Sequence, residues 1–481
     1  MLSLVSEASA RPFISLPEGN GDSLHPPSLT VSELIYLRVS MAGIEMSLDI
    51  ASFVARVDAN RSIKDELMGR LKEIHPRKRI SVTDLVNPRR AFMQRVHPDI
   101  QPPLERKEAM MAGKGFHDLF GHAVSSEEFL EQFVEWSGVV GVIDVYRDIP
   151  TELKTTSDID EGGDLRESRA SYVEQLAMYC AMVDQRKGRL ILYGRGSADS
   201  EATLAVYDAI FDDLAAVKTE MGKRRDALVT ALMTRSPDGL PRCPWLGRGC
   251  EFESMCGCAG AEEFVPSIAK NTSPLEPNPD EAKRLLSMLE SSRPARRTGL
   301  NSLVFPRRAY YDSQRGEEES DAERLGSLDR IGHARALAEA IDFGRGVDST
   351  RRPLSMGELQ DRVTYFKGVP TLLRSTKFND VVSRDNLTRM FPHYFMRLAF
   401  ECALLGSARG RLILHYEKLK EESKLMVYDV TFKDLEGLQK EAENRLLTIR
   451  EVNEGRRSPS ELPPCPDWFR KYCRYQPSCG C

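Results

Sequence analysis

The stretch VVGVIDVYRDIPTELKTT, residues 139–156, decides the expected fold. Two runs rich in apolar and β-branched residues, 138–146 and 149–155, flank a polar turn, which predicts two adjacent strands. Asp144 lies near the end of the first run, and Glu152 and Lys154 lie on the second. Because residues two apart on a strand share a face, Glu152 and Lys154 emerge together. Antiparallel pairing of the strands would place Asp144 beside them.

This arrangement puts two carboxylates and an ammonium group at one edge of a sheet. Carboxylate oxygens are ligands that suit Mg²⁺ or Mn²⁺. A neighbouring lysine can orient a metal-bound water. A Glu-x-Lys pair taken alone is equally compatible with a surface ion pair at a strand end, so the surrounding chain has to distinguish the two.

The elements around this hairpin alternate between helical and strand patterns. Apolar spacing and length predict an α/β unit in which helices flank a mixed central sheet. The predicted helices cover 82–93, 112–124, 167–184 and 212–234, and the further strands cover 188–194 and 204–211.

The whole unit is repeated. Residues 82–258 recur at 300–481, with an offset that drifts only from 218, between Pro88 and Pro306, to 223, between Cys258 and Cys481. The recurrence predicts two tandem domains of one fold. The predicted organisation is a flexible tail (1–28), a helical segment (29–75), a first domain (76–258), a linker (259–279) and a second domain (280–481). Whether the helical segment packs on the first repeat is left open.

The order of polar residues in the first repeat resembles the PD-(D/E)XK nuclease superfamily, and within it the RecB-like nuclease domain. The residues that carry the resemblance are His117 in AGKGFHDLF, Asp144, the pair Glu152 and Lys154, and the QLAMY segment from Gln175 to Tyr179. SVTDLVNPRRAFM is similar to the opening helix of that domain. The cysteines at the end of the repeat resemble those of the iron–sulfur subgroup, which includes the CRISPR adaptation nuclease and AddB-type helicase–nucleases.

The resemblance implies metal-dependent hydrolysis of DNA phosphodiester bonds, as an exonuclease on ends or single strands, in DNA repair, recombination or CRISPR and mobile-element processing. A helicase or CRISPR adaptation proteins are the implied partners. The implied metal ligands are His117, Asp144, Glu152 and the Leu153 carbonyl, with Lys154 positioning the water and Gln175 and Tyr179 supporting the site. His117 alone would read equally well as an ordinary helix histidine. The alternative function is a non-catalytic nucleic-acid-binding or scaffold subunit.

Eight of the ten cysteines fall in two clusters. Four thiolates in a short loop bind a 4Fe-4S cluster or zinc. The iron–sulfur subgroup takes one ligand from its opening helix, where this chain has Asn87 and Phe305, so a relocated fourth ligand is inferred and zinc remains an alternative. Cys180 and Cys402 are predicted to be packed core thiols. The clusters are Cys243, Cys250, Cys256 and Cys258, then Cys465, Cys473, Cys479 and Cys481.

The second repeat lacks the polar set of the first. Alignment places Thr364, Leu372, Arg374, Arg397 and Glu401 where the first repeat has Asp144, Glu152, Lys154, Gln175 and Tyr179, and it matches His333 to His117. A site without its carboxylates cannot hold a hard divalent cation. The second repeat is therefore predicted to be a nuclease-like domain without activity.

The bulk composition limits the partners. The net charge of −5 excludes a polycation, so DNA contacts need local basic segments such as 75–90 and 293–308, which contain Arg89, Arg90, Arg307 and Arg308. A solvated charged face is the alternative for both segments. The acidic segment 313–327 is predicted to be a solvated loop. No apolar run reaches the length of a membrane span, and the N-terminus lacks a secretory pattern, which predicts a cytoplasmic protein without membrane contact.

Overall fold

The computed structural model describes residues 49–72, 79–159, 163–196, 200–243, 250–263, 267–291, 298–314, 320–344 and 347–465, together with Cys473, Tyr475 and Cys479. The predicted tail, residues 29–48 of the predicted helical segment, the basic residues 75–78 and 293–297, and Cys481 lie outside these residues. The described chain from Asp49 onward forms one compact unit.

The first repeat builds a mixed seven-stranded sheet in the order β2-β4-β5-β6-β7-β8, with β3 paired to β4. The hairpin strands β4 and β5 are antiparallel, and β5 and β6 are parallel across the crossover helix α7. The elements are β2 (Ile80–Ser81), α3 (Val82–Val86), α4 (Pro88–Val96), α5 (Leu104–Val124), β3 (Leu130–Trp136), β4 (Val139–Tyr146), β5 (Pro150–Thr156), α6 (Leu165–Ser168), α7 (Ala170–Met182), β6 (Lys187–Gly194), β7 (Thr203–Ile210), α8 (Leu214–Thr234) and β8 (Glu276–Pro277).

The second repeat builds a six-stranded sheet in the order β1-β13-β12-β11-β10-β9. Again the hairpin is antiparallel, and β11 and β12 are parallel. The elements, with the segments that precede each repeat, are α1 (Ile50–Phe53), β1 (Val54–Ala59), α2 (Arg61–Lys72), α9 (Pro279–Ser291), α10 (Leu300–Val304), α11 (Pro306–Gln314), α12 (Asp321–Ala340), β9 (Ser349–Met356), β10 (Leu359–Phe366), β11 (Val369–Thr376), α13 (Leu387–Met390), α14 (Pro392–Leu404), β12 (Arg409–Tyr416), β13 (Leu425–Phe432) and α15 (Leu435–Asn453).

Each sheet is completed by a strand and helix that precede the other repeat in sequence. β8 pairs with β7, and α9 buries Leu285 and Leu289 in the core of the first repeat. β1 pairs with β13, and α2 buries Leu67 and Leu71 in the core of the second. The segment before the first repeat is therefore part of the second domain, which joins the two ends of the chain.

An asparagine side chain anchors each of these two strand–helix segments in the same way. The Asn278 amide donates to Asp208 on β7 at 2.9 Å, and its side-chain oxygen accepts from the amide of Glu281 at 3.0 Å. Asn60 repeats this with Asp429 on β13 at 2.7 Å and with the amide of Ile63 at 3.1 Å. One side chain thus starts the helix and ties it to the neighbouring sheet.

The two repeats meet where α5 crosses α12. A Cβ placed on Gly115 would lie 2.0 Å from the Gly332 carbonyl oxygen, so only glycine permits this approach. Nearer the start of α5, the buried Glu108 contacts the second repeat. Lys424 donates to its carboxylate at 2.6 Å, and His415 Nε2 lies 2.8 Å from it.

The structure confirms the α/β class with mixed sheets and helices, and each predicted strand and helix of the first repeat has a counterpart. Cys180 and Cys402 are fully buried, as predicted. Three boundaries are corrected. Residues 54–59 of the predicted helical segment form a strand, α9 (beginning at 279) packs on the first repeat, and residues 321–327 of the predicted acidic loop begin α12. Within the described ranges, no helix is long and apolar enough to cross a membrane.

Candidate active site and cysteine loops

In the β4–β5 hairpin, the Asp144 side chain of β4 lies beside the end of β5 that carries Glu152 and Lys154. The backbone amide of Leu153 donates to Asp144 Oδ2 at 2.8 Å, and His117 Nδ1 lies 3.8 Å from the same oxygen. Thr155 Oγ1 lies 3.4 Å from the other ring nitrogen of His117. Burial alone would raise the pKa of Asp144, but His117, Lys154 and the Leu153 amide hold it below its usual range. Asp144 is thus kept ionised and fixed in place.

Glu152 is the most deeply buried carboxylate of the site, with 1% of its surface exposed. Its Oε1 contacts the Lys154 ammonium, while Oε2 has no hydrogen-bond partner among the described residues. Burial raises the pKa of Glu152 to about 8, and the nearby Asp144 adds to the shift although Lys154 opposes it. An orphaned buried carboxylate oxygen costs free energy unless a cation or proton binds it.

Lys154 completes this group of charges. Burial alone would lower the pKa of Lys154, but Glu152 and Asp144 raise it overall. Its ammonium also lies 5.7 Å from the centre of the Tyr172 ring. The lysine is therefore cationic and held on the same face as both carboxylates.

Gln175 and Tyr179 lie on α7 behind the hairpin. Gln175 donates to the Tyr179 hydroxyl at 3.1 Å. The two residues lie one helical turn apart on the same face of α7. The Tyr179 ring covers Gly141 on β4, where a Cβ would lie 2.5 Å from the ring. Gly141 therefore allows the tyrosine to approach the hairpin.

The structure thus brings His117, Asp144, Glu152 and Lys154 to one end of the hairpin, with Gln175 and Tyr179 beside them. Within the described chain, no group of three or more His, Cys, Asp or Glu side chains is placed so that it could hold a metal ion, either here or at the cysteine loops. The residues that suit a hard cation are Asp144 and Glu152, since Glu152 Oε2 is an oxygen ligand that no group of the described residues binds.

The same place in the second repeat is filled by a different charge network. Arg397 lies on α14 and donates to Glu401 at 2.9 Å and to Asp361 at 3.3 Å. Burial and the nearby Arg397 lower the pKa of Arg374 to about 10. Leu372 is buried where the first repeat has Glu152. The second repeat thus holds two guanidinium groups here, and the carboxylates beside them, Glu401 and Asp361, are paired with Arg397.

The predicted match of His333 to His117 is wrong. Because Gly115 and Gly332 meet at the helix crossing, the residue after each corresponds, which aligns His333 with Phe116 and Ala334 with His117. The contacts agree. Phe116 stacks on Tyr193 at 3.9 Å, and His333 packs edge-on against His415, the counterpart of Tyr193, at 5.7 Å. The second repeat therefore retains no counterpart of His117.

The first cysteine cluster lies in one apolar core with α4 and α8. Cys243, Cys250, Cys256 and Cys258 are all buried there, and the Cys243 amide donates to Cys258 Sγ at 2.9 Å. Burial raises the pKa of Cys243 to about 12. In the second cluster Cys465 and Cys479 are buried and Cys473 is half-buried. The predicted ligand Cys481 lies outside the described residues.

Arg89 and Arg307, predicted to contact nucleic acid, have structural roles instead. Arg89 is buried and donates to the carbonyls of Leu240 at 3.0 Å and Cys256 at 2.7 Å. Arg307 is buried and donates to the carbonyls of Leu462 at 3.1 Å and Cys479 at 3.1 Å. Guanidinium groups committed to buried carbonyls cannot reach a phosphate, so both are corrected to clamps on the cysteine loops.

The second arginine of each Pro-Arg-Arg motif is placed differently. Arg90 pairs with the buried Glu251 at 3.0 Å and keeps only 14% of its side chain exposed. Arg308 lies 3.4 Å from Asp312 and is 40% exposed. Arg308 therefore remains open to solvent, whereas Arg90 is largely engaged within the fold.

Comparisons with known proteins identify no family. No family model matches the chain, and no curated protein matches it. Among solved structures, the crystal structure of SSO0001 is similar, with 21% sequence identity over 41% of this chain and 94% of that chain, at a TM-score of 0.28. A similarity at this TM-score carries no argument about fold or function.

Proposed function

We propose that this protein is a divalent-metal-dependent nuclease of the PD-(D/E)XK type that hydrolyses phosphodiester bonds in DNA, with a catalytic first repeat and a non-catalytic second repeat. The observation that carries the proposal is the buried Glu152, whose Oε2 has no partner in the described chain, beside Asp144 and Lys154. Glu401 Oε2 of the second repeat is likewise unpartnered among the described residues, but Glu401 lies against Arg397, whereas Glu152 has a second carboxylate, Asp144, beside it to share a cation.

The residues of the first repeat fit the roles of such a site. Asp144, Glu152 and the Leu153 carbonyl would hold Mg²⁺ or Mn²⁺, with His117 beside Asp144. The bound cation would lower the pKa of a water and neutralise charge on the phosphate. Lys154 holds its ammonium next to Glu152, where it can orient the attacking water. The hydrogen bond between Gln175 and Tyr179 holds these two side chains on the face of α7 behind the hairpin.

The second repeat supports an inactive domain by the same chemistry. Leu372 replaces the buried carboxylate, and Arg374 and Arg397 place positive charge where a cation would have to bind. Like charge excludes a second divalent ion there. Activity as an exonuclease on ends or single strands rests on the resemblance alone.

We further propose that each cysteine loop binds a 4Fe-4S cluster, with zinc as the alternative. Support comes from the four buried cysteines of the first loop in one core and from the amide that donates to Cys258 Sγ. Hydrogen bonds to sulfur and a buried site are features that stabilise thiolate-bound metals. Metal analysis of an anaerobic preparation distinguishes stoichiometric iron from stoichiometric zinc.

A cleavage assay tests the nuclease proposal. The purified chain is incubated with single-stranded and duplex DNA with Mg²⁺ or Mn²⁺, or with chelator. We expect metal-dependent cleavage that Glu152→Ala abolishes and that Leu372→Ala, its counterpart in the second repeat, retains. Cleavage that survives Glu152→Ala, cleavage that persists in chelator, or no cleavage by the wild type would each contradict the proposal.

A further inference from the structure

A cleft of about 750 Å³ lies at the first-repeat site and is lined by both repeats. The first repeat contributes His117 and Asp144 of the proposed active site, together with Lys114. The second repeat contributes Arg335 from α12 and Arg351 from β9. The site is thus walled on one side by the repeat that lacks catalytic carboxylates.

The helix crossing explains why Arg335 reaches this cleft. Gly115 and Gly332 bring α5 and α12 into backbone contact. His117 lies two residues after Gly115, and Arg335 lies three residues after Gly332, so both project within one turn of the crossing. Arg351 lines the same cleft, and its guanidinium packs against Gly344, where a Cβ would be 3.0 Å from Nε.

The charges of the cleft are distributed unevenly. Lys114 is neutralised by Glu339 at 3.5 Å and Asp118 at 3.8 Å. Arg335 and Arg351 are exposed, and neither has an ion pair or hydrogen bond within the described residues. The lining also carries Glu127 and Glu131, so the two arginines are the available cations in a cleft that is otherwise mixed or acidic.

Unpaired guanidinium groups in a cleft suit a phosphodiester backbone. Arginine offers a planar set of donors that matches phosphate oxygens in a two-point contact. The position beside Asp144 puts a bound strand next to the proposed metal ligands. The same two arginines could not serve a metal, because they are cationic.

We propose that Arg335 and Arg351 bind the backbone phosphates of the DNA strand that is cut in the first repeat, so the active site is shared between the repeats. This inference rests on the proposed nuclease function. The second repeat is then the substrate-binding half of one composite site. The second repeat can take this role without catalytic carboxylates, because phosphate binding uses only Arg335 on α12 and Arg351 on β9.

The test separates binding from cleavage. Fluorescence anisotropy with a labelled single-stranded oligonucleotide, in chelator, measures the affinity of the full chain without hydrolysis. We expect Arg335→Ala and Arg351→Ala each to raise Kd about tenfold. The double variant should also flatten the salt dependence of log Kd by about 1.4, for two single-strand phosphate contacts.

The chain offers a matched control. Arg352 is adjacent to Arg351 on β9, but it points to the other face and stacks over the Tyr365 ring at 4.2 Å. Arg352→Ala removes the same charge and should leave Kd and the salt slope unchanged. In the cleavage assay, Arg335→Ala and Arg351→Ala should raise KM while kcat is retained.

The outcomes distinguish this inference from the proposed function. If the wild type binds and cleaves DNA, and the Arg335→Ala and Arg351→Ala variants bind as tightly as the wild type, the shared cleft is refuted and the nuclease stands. An equal loss of affinity in Arg352→Ala also refutes it, since general charge would then explain binding. A wild type that neither binds nor cleaves DNA overturns both.

Discussion

Glu152 is the residue on which the account depends most. This carboxylate has 1% of its surface exposed and one oxygen without a partner among the described residues, which is destabilising unless something binds it. Sequence alone predicted that Asp144, Glu152 and Lys154 would share one face, because alternation along a strand is a local rule. It could not predict how deeply Glu152 is buried, since that depends on the packing of α7 over β5 and on the pairing of β6 with β5.

The raised pKa of Glu152 predicts a pH dependence of stability in the metal-free protein. The folded state binds the Glu152 proton more tightly than the unfolded state, because its pKa is about 8. The stability contributed by this proton is present at low pH and is lost as pH rises from about 4.3, the ordinary glutamate value, to about 8. Glu152→Gln has no proton to lose, so it should gain stability relative to the wild type across this window.

Thermal unfolding in chelator at pH 5 and pH 8 measures the effect. The difference in Tm between Glu152→Gln and the wild type should grow in favour of the variant at the higher pH. A difference that is constant, or that shrinks as pH rises, would show that Glu152 is ionised in the metal-free fold. Added Mn²⁺ should stabilise the wild type and leave Glu152→Gln unchanged.

The helix register at His333 could not be predicted from the sequence. Matching a histidine to a histidine in a helix without surrounding identity leaves the register free by one residue, which turns the side chain by about 100°. The glycine contact between Gly115 and Gly332 fixes the register, and this contact is visible only in three dimensions.

At the scale of elements, local signals predicted the hairpin, α7, β6, β7 and α8 well. Long apolar periodic runs fix these elements without help from distant residues. β3 was missed because its alternating LEQFVEW pattern is half exposed, and β1 was missed because only pairing with β13 makes it a strand. Tertiary contacts therefore decide both elements.

The clamp formed by Arg89 predicts a stability effect rather than a binding effect. Arg89→Ala leaves the carbonyls of Leu240 and Cys256 without their charged donor. We expect a loss of about 3–6 kcal/mol in the free energy of unfolding, from two hydrogen bonds to a charged group. Metal bound at the first cysteine loop should be lost more easily, as measured by release to a chelator.

DNA affinity provides the control for that variant. Under conditions where Arg89→Ala remains folded, its Kd for DNA should equal that of the wild type. A selective loss of DNA affinity with unchanged stability and metal content would restore the original sequence-based assignment of Arg89.

At the scale of the whole molecule, the two repeats are joined into one body. β1 and α2 complete the second sheet, β8 and α9 complete the first, and α5 inserts Glu108 into the second repeat. The sequence revealed the duplication, but it could not show that the segment before the first repeat belongs to the second. Pairing across some 370 residues leaves no local signal, as between Ala59 and Tyr428.

The buried Glu108 predicts strong coupling between the repeats. Burial alone would raise the pKa of Glu108, but His415 and Lys424 hold it below its usual range. Glu108→Ala leaves the buried Lys424 ammonium without its carboxylate, and we expect a loss of about 3–5 kcal/mol in the free energy of unfolding. Glu105→Ala, at an exposed position one turn earlier on the same helix, should change stability little.

Denaturant unfolding of both variants measures this coupling. If Glu108→Ala costs no more than Glu105→Ala, the charged contact between the repeats does not stabilise the molecule.

In the proposed mechanism, hydrolysis takes place in the first repeat and not in the second. Single-turnover cleavage of DNA with saturating Mn²⁺ tests it most directly by comparing Lys154→Ala with Arg374→Ala, its counterpart in the second repeat. Lys154→Ala should slow the chemical step by about a hundredfold or more, the range for loss of a fixed hydrogen-bond donor in an active site. Arg374→Ala should cleave at the wild-type rate, provided that it remains folded. Two results would contradict catalysis in the first repeat. One is equal cleavage rates for Lys154→Ala and the wild type, and the other is a larger loss of rate in Arg374→Ala than in Lys154→Ala at unchanged stability.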